Sequence, residues 1–166
     1  MNGQTAKVSV TVAIAPALAF ELFTCDIDRW WCRGVKYRYG DHDRGFICLE
    51  PGVGGRLFES FDMDEGSQVF EVGRITVWEP PQRLVFTWRN SNYAPGEHTL
   101  VEIGFSAAAA GTLVTVTHRG LTALRPDHPA RHGLPDGDFL RMIGHWWGDQ
   151  LTSLRDLAAN GSNQGR

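Results

Sequence analysis

The chain has 166 residues, 42% of them hydrophobic and 21% charged, which is the composition of one domain with a sizeable core. Its 16 Lys and Arg against 19 Asp and Glu give a net charge of −3, so no basic surplus exists to attract a phosphate backbone, and nucleic acid is not the expected partner. The 6 Trp, 9 Phe and 3 Tyr are many rings for this length, and such rings must be buried, stacked or used to line a pocket.

Lys7 to Ile14 alternates β-branched and small polar residues and predicts a half-buried strand. Ala17-Leu18-Ala19 after this apolar stretch imitates a signal-peptidase site, but the alternation followed by Pro16 reads better as a strand entering the first turn of a helix. That helix is predicted over Pro16 to Thr24, with Phe20 and Phe23 on one face. Asp26 to Trp31 then breaks its pattern.

Six strands are predicted next, over Gly45 to Glu50, Arg56 to Phe61, Gln68 to Trp78, Arg83 to Trp88, Thr99 to Ser106 and Thr112 to Arg119. Their separators are turn-formers: Pro51-Gly52 with Gly54-Gly55, Asp64-Glu65-Gly66, Pro80-Pro81, Ala94-Pro95-Gly96 and Ala107 to Gly111. Connections this short make hairpins, so the strands form an antiparallel sheet of about seven. Leu121 to Asp136, with Pro126, Pro129 and Pro135, reads as a loop. From about Asp138 to Ala159 the apolar residues Leu140, Ile143, Trp147, Leu151, Leu154 and Ala158 recur at helical steps. A single domain over 1–159 with a flexible tail over 160–166 is expected.

A long helix with a wide apolar stripe must bury it, and the concave face of a twisted sheet is the only large surface available. The expected fold class is therefore α+β, a curved antiparallel sheet of about seven strands wrapped around the last helix, with two short helices after the first strand. Where sheet and helix diverge, an elongated apolar cavity is expected. Strand phase puts Leu84, Phe86 and Trp88 on one face, with Val101, Ile103 and Phe105, and with Val114, Val116 and His118.

The order of elements, and several strings within it, resembles the START-like, helix-grip superfamily. The nearest branch is similar to the C-terminal domain of the activator of the ninety-kilodalton heat-shock chaperone's ATPase. The strings are Trp30-Trp31, Glu50-Pro51-Gly52-Val53-Gly54-Gly55-Arg56, the hairpin Gly73 to Trp88, Gly111-Thr112 with His118-Arg119-Gly120, and Trp147, Leu151 and Leu154 on the last helix. The resemblance implies a helix-grip domain with a hydrophobic cavity, and it assigns no catalytic residue.

The candidate ligand-binding residues are Trp30, Trp31, Phe58, Phe86, Trp88, His118, Phe139 and Ile143, with His118 as polar anchor or as a core histidine bonded to a neighbour. Trp146, about 100° from Trp147 on the helix, is expected at the rim. Glu59, Glu71 and Glu102 are acid or base candidates only if one faces the interior, where burial favours the neutral carboxyl. The glycines before Arg56 lack the helix start and the Lys-Ser or Lys-Thr of a phosphate loop. His128-Pro129-Ala130-Arg131-His132 has no zinc-site spacing, and no metal or cofactor is expected.

With 3 Cys and no C-x2-C pair, a reducing cytoplasm is the expected compartment. No run reaches the roughly 18–20 apolar residues of a membrane span. The expected function is non-enzymatic binding of a small hydrophobic or aromatic ligand by a monomer or homodimer. The resemblance admits two alternatives: a co-chaperone-like module acting on a heat-shock chaperone's ATPase, and a cyclase- or aromatase-like enzyme.

Overall fold

The computed structural model describes residues 5–40, 45–63 and 66–163. Strand β1 (Ala6–Val12) is followed by helices α1 (Pro16–Thr24) and α2 (Ile27–Trp30). Strands β2 (Gly45–Leu49), β3 (Arg56–Met63), β4 (Gly66–Glu79), β5 (Arg83–Trp88), β6 (Thr99–Ala108) and β7 (Gly111–Arg119) come next, and helix α3 (Asp136–Asn163) closes the chain. All strand pairs are antiparallel, in the order β1-β7-β6-β5-β4-β3-β2, and the curved sheet wraps α3 as a helix-grip α+β fold.

Register explains the inner face. Val101 stands between Phe86 and His118, and Ile103 between Leu84 and Val116, so apolar side chains from consecutive strands form continuous rows, all buried. The apolar stripe of α3 lies on this surface through Trp147, Leu151, Leu154 and Ala158, each buried. Its closest sheet neighbour is β1.

The two sheet edges are managed differently. Along β1, α3 covers the sheet. At the β2 edge α2 packs alongside, and Asp28 Oδ1 accepts the Ile47 N–H at 2.9 Å, so a free edge donor is satisfied locally. Gly73 in β4 is required by close approach. A Cβ there would overlap the carbonyl oxygen of Thr87 on β5, a clash with backbone that no side-chain rotation relieves.

The predicted loop after Gly120 carries two short 3₁₀ turns, Leu121–Ala123 and Pro129–Arg131. Buried Arg131 pins it: its guanidinium donates to Asp136 at 2.6 Å and to the carbonyls of Thr122 and Leu124 at 3.1 and 2.7 Å, and lies over the Phe139 ring. Helix α3 begins two residues before the predicted Asp138, with the Phe139 N–H bonded to the Pro135 carbonyl. It continues four residues past Ala159, to Asn163. Asp64 and Glu65 of one predicted turn, and 164–166 of the predicted tail, lie outside the described residues. No helix is long and apolar enough to cross a membrane among the described residues.

Candidate functional site

The last half of α3 fills the grip with side chains, whereas side chains of its first half line a gap over the sheet. The gap is a cavity of about 880 Å³, within the roughly 300–1,000 Å³ typical of ligand pockets and far beyond a packing defect. Its floor is the inner face of the sheet, with Ile47, Glu59, Val72, Trp88 and His118. Met142, Ile143 and Trp146 of α3 form one wall, and the segment from Trp31 to Tyr39 forms the opposite lip.

That lip is built by a turn. Gly34 takes φ 106°, open to glycine and strained for L-residues, and its carbonyl accepts the N–H groups of Tyr37 and Arg38. The turn carries Val35 into water, 90% exposed beside the mouth. Side chains then tie the lip to α3. Trp146 Nε1 donates to the Lys36 carbonyl at 3.0 Å, Tyr37 Oη donates to Asp149 at 2.6 Å, and Gln150 accepts the Cys32 N–H at 2.8 Å. Burial and the adjacent Asp149 carboxylate push the Tyr37 hydroxyl up to about 12, so it remains a donor at neutral pH. The Tyr37 hydroxyl and Lys36 in turn hold Asp149 below the usual carboxylate range.

Four tryptophans meet at the inner end. Trp31 stacks on Trp88 at 6.1 Å between ring centroids, and Trp146 and Trp147 approach both rings edge-on or tilted at 5.5–6.0 Å. The indole N–H groups of Trp31, Trp146 and Trp147 are all engaged by protein acceptors. A guest meeting those rings therefore meets apolar π surface, with no free indole donor among the three.

His118 sits under this cluster, 1% exposed. Trp147 Nε1 is a donor only, so the 3.1 Å contact makes Nδ1 of His118 an acceptor and leaves the proton on Nε2, which donates to Thr99 Oγ1 at 2.7 Å. Burial pushes its pKa down to about 3, and the ring is neutral. Both nitrogens are spent inside the protein. His118 offers a guest its ring and not a free nitrogen, which corresponds to the bonded core histidine of the two sequence readings.

The family model described as Activator of Hsp90 ATPase homolog 1-like protein matches residues 15–159. The chain belongs to this family. Among solved structures it is similar to the protein MLL2253 from Mesorhizobium loti, at 17% identity and TM-score 0.63 over 95% of this chain and 98% of that one. It is similar to SA2116 from Staphylococcus aureus, a protein of unknown function, at 12% identity and TM-score 0.67 over 96% and 95%. DynU16, from the dynemicin biosynthetic locus, matches at 19% identity and TM-score 0.63 over 95% of this chain and 48% of that one. Identities this low carry the fold alone. No curated protein matches the sequence.

In this family member Trp31, Trp88, His118 and Ile143 line the cavity. Trp30, Phe86 and Phe139 are fully buried and lie outside its lining. Trp30 packs on Phe23 at 4.7 Å and bonds the Leu22 carbonyl, and Phe139 faces Arg131. Phe58 is on the outer face, against Phe46 and Arg56, because the inward positions of β3 are Leu57 and Glu59. Glu71 and Glu102 are also on the outer face, paired with Arg74 and with Arg83 and Arg119.

Sequence reasoning missed the lip residues Val35, Tyr37 and Tyr39, the loop residues Asn90 and Tyr93, and Met142 on the helix. The loop residues carry no periodicity that marks them. Met142 is adjacent to Ile143 and could have been found from the same helical face. In the 128–132 loop, His128 accepts the Ala130 N–H on Nδ1 and bonds Glu97 through Nε2. No group of three or more metal-ligating side chains is assembled among the described residues.

Proposed function

We propose that the chain binds one small, largely apolar or aromatic molecule in the cavity beneath the first half of α3, without transforming it. The observation that carries this reading is the pairing of an 880 Å³ open hollow with the rings of Trp31, Trp146 and Trp147, whose indole N–H groups are already bonded. A guest that covers those walls gains roughly 25 cal/mol for each Å² of apolar surface removed from water, less the cost of association.

Ile143→Trp fills part of the hollow from the helix side. N-phenyl-1-naphthylamine should raise the melting temperature of the native protein, and in the variant that rise should vanish while the unliganded protein stays folded. A dye-induced rise of equal size in the variant contradicts the assignment of the cavity.

The family match supports a second reading, a module that acts on a heat-shock chaperone. Its readout is the chaperone's ATPase turnover with and without this chain.

A further inference from the structure

Resting on the binding function proposed above, we infer that the cavity prefers guests that carry a protonated amine on an apolar body, with Glu59 receiving the ammonium group. Glu59 lines the cavity and is only 2% exposed. Its carboxylate accepts the Tyr39 N–H at 2.7 Å on one oxygen and the Gly40 N–H at 3.2 Å on the other. Each carboxylate oxygen has two acceptor sites, so two backbone donors leave capacity for more.

The lysine and arginine side chains that line the cavity are committed elsewhere. Arg38 is bonded to Asp28 and to the carbonyls of Cys32, Asp28 and Trp31. At the mouth, Lys36 pairs with Asp149 and Arg141 with Asp138. Among the described residues no basic side chain forms an ion pair with Glu59. A buried carboxylate is stabilised by an opposite charge and by hydrogen-bond donors, and is costly without them. An ammonium guest supplies both at once, and the π faces of Trp31 and Trp88 in the same cavity favour a cation further. A neutral guest supplies at most a hydrogen-bond donor without the charge, and an anionic guest is repelled by the carboxylate.

The test uses three probes of one shape: 1-naphthylmethylammonium, 1-naphthylmethanol and 1-naphthoate, each titrated against tryptophan emission at neutral pH. The native protein should bind the ammonium about tenfold more tightly than the alcohol and the carboxylate least, a separation expected for one charged contact in a desolvated site. In Glu59→Gln the ammonium and the alcohol should fall within about twofold of each other, with the alcohol's affinity unchanged.

Equal binding of ammonium and alcohol by the native protein overturns the inference and leaves the cavity reading standing. So does a preference that survives Glu59→Gln. Failure of every probe to bind the native protein overturns both. The native comparison needs no variant, so it decides the matter even if Glu59→Gln does not fold.

Discussion

Between pH 7.5 and pH 5 the protein is expected to lose about 2 kcal/mol of folding stability, and His118 is the cause. Burial lowers its folded pKa from 6.5 to about 3. The unfolded chain therefore takes up a proton near pH 6.5 that the folded protein refuses until about pH 3. The contribution is fully present above pH 6.5 and is lost progressively as the pH falls toward 3. Glu50, Glu97, Glu102 and Asp149 are held below the usual carboxylate range by the hydrogen-bond donors beside them. Their loss begins only as the pH drops through that range, so the interval from 6.5 to 5 isolates the histidine from these four groups.

His118→Gln tests the assignment. A glutamine can accept from Trp147 and donate to Thr99 while binding no proton, so urea melts of the variant should flatten across that interval. If the variant retains the native slope, the acid sensitivity belongs to another group.

Trp31→Ala should cost about 3–5 kcal/mol, the range for removing a buried large ring. Trp31 contacts the rings of Trp30, Trp88, Trp146 and Trp147 and donates to the Tyr37 carbonyl. Truncation leaves a void at the junction of lip, sheet and helix, and it unties the lip. Urea denaturation should show a lower midpoint with little change in slope. A loss below about 1 kcal/mol would mean the surrounding rings close over the gap.

The fold was legible because its signals are local. Alternation gave the strand phase of Leu84, Phe86 and Trp88, and Pro16 marked the start of α1 where the structure has it. The site was legible only in part. Phase shows that a side chain points inward but not how deep it lies, which separates Trp88 at the cavity from Phe86 two residues further into the sheet.

On β3 a preference for burying Phe over Glu favours the wrong face. The register shifts between Leu57 and Phe58, and Glu59 is buried because two amides about twenty residues upstream meet its carboxylate. Such a long-range partner leaves no trace in the periodicity of the strand. The lip around Gly34 is likewise positioned by bonds to α3 more than a hundred residues away.

The most direct test of a guest site under α3 uses the tryptophans that line it. N-phenyl-1-naphthylamine bound against Trp31, Trp88 and Trp146 should quench their emission and gain its own by energy transfer, saturating at one dye per chain. Dye that binds without quenching tryptophan emission, or that never saturates, would place it elsewhere on the protein and contradict the account.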